Sequence, residues 1–229
     1  MAEASAGLAV AIDGPMGSGK STVAREVARR LRFQYVDTGA MYRAITVAAI
    51  RRGVSADDPA ALAALARGIT LTLEPLPDGS TRVRVNGEDV TAALRDIEVN
   101  RIVARVARVP EVREALQALQ RSLGGRGDVV MEGRDIGSVI LPQARVKVFL
   151  TASIDVRAKR RQAELAAGGT PMPLEGVRQI IAEDDRIATT REVAPLRVAP
   201  EAVVIDSTTL TVDQVVDRIV DLVERARGL

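Results

Sequence analysis

The stretch Gly14-Pro15-Met16-Gly17-Ser18-Gly19-Lys20-Ser21-Thr22 constrains the fold of this chain more than any other. It satisfies the pattern G-x-x-x-x-G-K-[ST] at every fixed position. Leu8 to Ile12, just before it, is an unbroken apolar run that suits a buried strand. After it, Val23, Ala24, Val27, Ala28 and Leu31 recur at helical spacing. Strand, glycine-rich turn and helix form the context in which this pattern makes a loop around phosphate. The glycines let the backbone curl until successive N–H groups point inward at an anion. The following helix adds its positive N-terminal end. Lys20 brings a mobile charge to the β- and γ-phosphates, and Ser21, with Thr22 as the alternate, offers a hydroxyl to Mg²⁺. Every residue from Gly14 to Thr22 is therefore a candidate ATP-binding residue, and the chain is predicted to bind a nucleoside triphosphate.

The remaining composition narrows the chemistry. A length of 229 residues suits one sizeable α/β domain with a small insertion, and 47% hydrophobic residues are enough for a core. There is no cysteine and no histidine, which removes disulfides, thiolate nucleophiles and the usual general base. Carboxylates, arginines, lysine and a bound metal ion remain. That set suits phosphoryl transfer, where positioning and charge stabilisation dominate, and disfavours acyl transfer by a triad. A net charge of +2 and 2% aromatic residues argue against nucleic acid as a partner. Lys20, Lys147 and Lys159 are the only lysines, so nearly every basic residue is arginine. This fits a phosphate-gripping site or a GC-rich coding bias; the accompanying alanine and valine favour the bias, so only arginines within motifs carry weight. No apolar stretch reaches the length of a membrane span. Met1 to Gly7 holds Glu3 and no basic residue, unlike a signal peptide. A soluble cytoplasmic protein is expected, frayed before Leu8 and, for want of an exposed apolar stripe, monomeric.

Further along, Phe33 to Asp37 predicts a second strand, leading through Thr38-Gly39-Ala40-Met41-Tyr42-Arg43 into a helix to about Arg52. Asp37 or Thr38 caps that helix, and Arg43 lies one turn in, placed to meet an anion. From about Ser55 to Asp96 the pattern changes. Asp57-Asp58-Pro59 opens a short helix to about Arg67, then Ile69 to Leu73 and Arg82 to Val85 alternate as strands do. Pro77-Asp78-Gly79-Ser80 and Asn86-Gly87 supply turns, so a small antiparallel sheet is predicted as an insertion. A long helical stretch from about Glu98 to Leu123 breaks at Pro110, and in its second half Arg113 falls off the stripe of Val112, Ala115, Leu116 and Leu119. Gly124 to Gly127 predicts a flexible link, and Asp128 to Met131 a buried strand. At the end of that strand sits Glu132-Gly133-Arg134-Asp135-Ile136-Gly137, and ligands collect at the carboxyl ends of parallel strands. Val146 to Leu150 predicts another strand. Ile154 to Ala167, bearing Arg157, Arg160 and Arg161, and about Leu174 to Arg191 predict two helices around a loose connection, a candidate hinged lid. Ala202 to Asp206 and Val212 to Ala226 close the chain as strand and helix. Strands alternating with helices predict an α/β fold with a parallel sheet of about five strands.

These residues resemble those of bacterial cytidylate kinases, a family of nucleoside monophosphate kinases, over nearly the whole chain from Ile12-Asp13-Gly14 to Ile205-Asp206-Ser207-Thr208. The most telling pieces are Asp37 to Arg43, Val112-Arg113-Glu114, Glu132 to Gly137 and Val193-Ala194-Pro195-Leu196. The resemblance implies a P-loop nucleoside monophosphate kinase fold: a parallel five-stranded sheet flanked by helices, a small antiparallel insertion and a lid. One kinase domain would then fill residues 1–229, with a core at 8–37, 124–156 and 200–229. The monophosphate-binding region would cover about 38–123 and the lid about 157–192. It further implies that ATP with Mg²⁺ donates its γ-phosphoryl to CMP or dCMP. By motif, Thr38 touches the sugar beside Asp37, Arg43 and Arg134 grip the acceptor phosphate, and Arg113 and Asp135 read the cytosine edge. Lys20, Arg134 and the lid arginines Arg157, Arg161 and Arg191 would form the catalytic set. The chain departs from the family in two places. Ala104 stands where serine is frequent. The helix that usually reads R-D-x-x-D-x-x-R runs Asp184 to Arg191 here and keeps only Asp185 and Arg191 of that pattern. Asp185 and the neighbouring Arg186 are carried as substrate-binding candidates, Arg186 as a substitute for the missing arginine.

Two rivals follow from the same residues. One is a P-loop kinase for another small acceptor, such as UMP, a different nucleotide or a shikimate-like compound. The other is a P-loop switch protein, disfavoured because no N-K-x-D motif occurs.

Overall fold

The computed structural model of the chain describes residues 7–76 and 79–228. Residues 1–6 of the stretch expected to fray and the Pro77-Asp78 half of the first insertion turn lie outside the described residues. Among those described, no helix is long and apolar enough to cross a membrane.

The core is a parallel sheet of β1 (Ala9–Asp13), β2 (Gln34–Asp37), β6 (Val129–Gly133), β7 (Val146–Thr151) and β8 (Val203–Asp206), in the order β2-β6-β1-β7-β8. Its strands are short apolar runs because both faces are covered. Along β1, Ala11 packs into one core cluster while Val10 and Ile12 pack into the other, the period of two expected of a strand. Helices α1 (Lys20–Leu31) and α8 (Val212–Arg227) cover the face holding Val10 and Ile12. Helices α2 (Thr38–Arg51), α4 (Ile97–Arg108) and α5 (Pro110–Gly124) cover the other. Pro110 opens α5, as its position after the break predicts.

The insertion carries α3 (Pro59–Arg67), capped by Asp58, and an antiparallel sheet of β3 (Leu71–Pro75), β4 (Thr81–Val85) and β5 (Glu88–Asp89). Here β3 starts two residues later than the alternation predicts and runs through Pro75. Proline is tolerated because β3 is an edge strand. Asn86 and Gly87, with φ of 51° and 84°, make the tight turn between β4 and β5.

Helices α6 (Ile154–Ala167) and α7 (Leu174–Thr190) pack on each other around a small core of their own, Ala158, Val177 and Ile181. Register aligns the strand ends that matter. Asp13 sits opposite Gly133, and Asp37 opposite Glu132, so four chemically distinct loops and helix starts leave one rim of the sheet together.

Candidate active site

At that rim the phosphate loop departs from β1. Gly14, Gly17 and Gly19 have φ of 154°, 73° and 91°, where side chains are strained. At Gly14 the space is closed as well: a Cβ would lie 2.0 Å from the Leu150 carbonyl oxygen. Gly19 caps α1 without any side-chain hydrogen bond, and the first turn holds no acid. The first amides of α1 are thus left for an anion. By contrast, α2 is capped by Asp37, whose carboxylate accepts from Ala40 N at 3.0 Å. Lys20 Nζ donates to the Pro15 carbonyl at 2.9 Å, folded back along its own loop. Burial and the neighbouring Arg134 push its pKa down to about 8, against the pull of Glu132, Asp184 and Asp13.

One cleft of about 240 Å³ runs from this loop to α4 and α5. From the predicted set it brings together Met16, Gly17, Gly19, Lys20, Ser21, Thr22, Asp37, Thr38, Arg43, Arg113, Arg134, Asp135, Arg161 and Arg191. Asp37 and Arg43 pair at 2.6 Å across the first turn of α2. Thr38 Oγ1 donates to the Glu132 carbonyl at 2.7 Å, tying α2 to β6. Arg134 donates to the Gly14 carbonyl at 2.6 Å and to Asp184 at 2.8 Å.

At the far end Arg113 and Asp135 form a buried pair, Nη2 to Oδ2 at 2.5 Å. Arg113 also donates to the Ala107 carbonyl at 3.1 Å and lies 5.3 Å from the centre of the Tyr42 ring. Although it falls outside the apolar stripe expected for α5, it is buried with that stripe, at 1% exposure. The reason is tertiary: Asp135, arriving from β6, supplies the countercharge. Arg191 lies just past α7, 3.6 Å from the other Asp135 oxygen, and burial lowers its pKa to about 10, so it stays charged at neutral pH. Arg113 Nε and Arg191 Nη2 are both buried without a hydrogen-bond partner among the described residues. Such donors are costly to leave unmet, and a ligand with acceptors would satisfy them. Ala104 lines the same cleft and adds no hydrogen bond to it.

Of the predicted residues, Gly14, Pro15 and Ser18 of the phosphate loop do not line the cleft, and neither do Arg157, Asp185 and Arg186. Arg157 is buried beneath the phosphate loop, where it donates to the carbonyls of Ala152 and Met16 and forks onto both oxygens of Asp185 at 3.1 and 2.7 Å. That fork holds Asp185 on Arg157 rather than in the cleft. Arg186, one residue further along α7, is turned outward, 61% exposed and paired with Glu183 at 2.7 Å. A step of one residue on a helix rotates the side chain away from the face its neighbour uses, so Arg186 points away from the cleft that the missing arginine would serve.

Three acids that the sequence left without a role also belong to the site. Glu132 is buried at 3% exposure, accepts from Tyr35 Oη at 2.5 Å and from the Ser21 hydroxyl, and its pKa is raised by burial and by Asp37. A buried carboxylate on the P-loop serine fits a divalent cation carried by the triphosphate. Asp13, also buried, accepts from the amides of Ile136 and Gly137, both at 2.8 Å, and so fixes the segment after β6 to the start of the phosphate loop. Asp184 is the third. The available signal was position: Asp13 and Glu132 each end an apolar strand run.

Comparison with known proteins identifies the family. The model of the cytidylate kinase family matches residues 10–225. A cytidylate kinase of Geobacillus kaustophilus is 49% identical over 96% of this chain and 98% of its own. One from Geobacillus thermodenitrificans is 50% identical over the same shares. Among solved structures, an uncharacterized protein from Eubacterium ventriosum shares the fold at a TM-score of 0.50 and 12% identity, covering 95% of this chain and 98% of that one. With a family match from strand β1 into helix α8 and relatives of equal length, the chain belongs to the cytidylate kinase family.

Proposed function

We propose that the protein transfers the γ-phosphoryl of ATP to CMP or dCMP, giving ADP and CDP or dCDP. The observation that carries this reading is the shared cleft, with Lys20 and the uncapped start of α1 at one end and the buried Arg113–Asp135 pair at the other. Family membership and the names of the relatives support the same reaction. A carboxylate accepts from the cytosine amino group, and an arginine donates to its ring nitrogen and carbonyl. Uracil leaves that pair mismatched, which is expensive in a buried site.

The loop amides and Lys20 hold the donor phosphates, Arg43 and Arg134 the acceptor phosphate, and Arg161 and Arg191 approach the transferring group from the other side. Ser21, with Glu132 behind it, would hold Mg²⁺, which would supply charge neutralisation to the donor phosphates. Proton removal needs no tuned base, since the attacking oxygen belongs to a phosphate. Closure of the cleft by α6 and α7 excludes water, which would otherwise take the phosphoryl group. The protein is read as a cytoplasmic monomer acting on small molecules alone.

The test is ADP formation from Mg-ATP with CMP, dCMP, UMP, AMP and GMP supplied separately. Strong turnover with CMP and dCMP, weak turnover with UMP and none with the purines is expected. Preference for a different acceptor would overturn the roles of Arg113 and Asp135.

A further inference from the structure

Every arginine assigned above to a phosphate, other than Arg161, meets a carboxylate at the rim of the sheet or on α7. Arg43 has Asp37, on its own helix start, and Arg191 faces Asp135, on the loop after β6. Arg134 differs, because its partner Asp184 comes from α7. That helix belongs to the α6–α7 pair, whose small core of Ala158, Val177 and Ile181 is separate from the two sheet-side clusters. The pair at 2.8 Å is largely shielded, with 23% and 11% of the side chains exposed. Asp184 lines the substrate cleft and also a second, mostly apolar cavity of about 510 Å³ between α4 and the α6–α7 pair. Ile97 and Ile180 flank that cavity and are 46% and 41% exposed, so α7 has open, apolar space on its α4 side.

We infer that Asp184 is a positioning residue that occupies Arg134 until an acceptor phosphate displaces it. This rests on the acceptor reading above. Arg134 is the cleft arginine bonded to the phosphate loop itself, through the Gly14 carbonyl. While Asp184 neutralises it, Arg134 is not free to stabilise charge on a γ-phosphate. An arriving phosphate takes Arg134 and repels the Asp184 carboxylate, which moves with α7 into the space beside α4. The device lowers acceptor affinity, since part of the binding free energy breaks the ion pair. In return it suppresses the acceptor-free side reaction, in which water attacks the γ-phosphorus, the bond to the ADP oxygen breaks, and ADP, inorganic phosphate and a proton are released.

The experiment compares the wild-type chain with Asp184→Asn, an isosteric neutral amide, and Asp184→Glu, which keeps the charge. KM for CMP and ADP release from Mg-ATP alone are read for all three, with thermal unfolding as the check on folding. For Asp184→Asn, KM for CMP is expected to fall about three- to tenfold and acceptor-free hydrolysis to rise by a similar factor. Asp184→Glu is expected to return hydrolysis toward the wild-type level. A folded Asp184→Asn with KM unchanged or raised and hydrolysis unchanged overturns the inference. If the wild type ignores CMP, the acceptor reading fails by itself, and the hydrolysis comparison still decides the role of Asp184.

Discussion

Arg113 and Asp135 meet at 2.5 Å with 1% and 5% of their side chains exposed, an ion pair removed from water at the closed end of the cleft. Removing one partner of such a pair leaves an uncompensated buried charge, at about 3–5 kcal/mol. Arg113→Met is therefore expected to destabilise the fold by about that amount and to lower kcat/KM for CMP by about 100-fold or more. Adding Asp135→Leu removes that carboxylate but also takes the countercharge from buried Arg191, 3.6 Å away, so it should recover only part of the stability and none of the CMP selectivity. Urea unfolding and the CMP-to-UMP ratio of kcat/KM separate the two effects. Recovery of selectivity in the double variant would show that the pair is structural only.

Asp13 titrates where activity is easily measured. Burial raises its pKa from 3.8 to about 6, against the lowering effect of the Gly137 and Ile136 amides. The folded chain thus holds this proton in an interval where the unfolded chain has lost it. Stability must therefore fall as pH rises from about 4 to about 6, by up to about 3 kcal/mol in all. Asp13→Asn abolishes this titration, so the wild-type-minus-variant difference in unfolding free energy should carry that slope and then level off. A difference independent of pH between 4 and 7 would contradict the assignment. Below about pH 6 the protonated carboxyl also holds the Ile136 and Gly137 amides more weakly, and KM for the acceptor is expected to rise.

Gly133 leaves no space for a side chain. A Cβ there would lie 2.6 Å from Thr38 Oγ1 and 2.7 Å from Ile136 Cδ1. Gly133→Ala should push α2 and the segment after β6 apart, costing about 1–3 kcal/mol in stability. Since both neighbours belong to the acceptor side, KM for CMP should rise while KM for ATP changes little. Equal rises in both constants would argue for a general loss of order instead.

Arg186 should be dispensable. Its side chain is 61% exposed and its partner Glu183 sits one turn away on the same helix. Arg186→Ala is expected to change unfolding by no more than about 0.5 kcal/mol and to leave both KM values and kcat as they were. A large change in acceptor KM would place Arg186 in the site in some other arrangement of α7.

The elements of this fold were legible because their signals are local. The strand before Gly14, the helix after it, the Asp37 and Asp58 caps, the Pro110 break and the Asn86-Gly87 turn all act over a few residues. The end of β3 was not legible, because Pro75 is permitted only on an edge strand, and edge status depends on where β4 and β5 pair. The same holds for Arg113. Its position off the apolar stripe predicts exposure, and only the arrival of Asp135 from another strand makes its burial affordable in free energy.

By itself the sequence determined the phosphate loop, the order of strands and helices, and which side chains carry charge near the strand ends. Those follow from backbone preference and apolar periodicity, both properties of neighbouring residues. Only the tertiary structure decided which charges meet. It put Arg134 on Asp184 and Arg157 on Asp185, turned Arg186 outward, and gave Asp13 and Glu132 their places behind the loops. An ion pair or a shared cleft joins residues as distant in the chain as Met16 and Arg191, and its geometry is set by sheet register and helix rotation rather than by spacing along the chain.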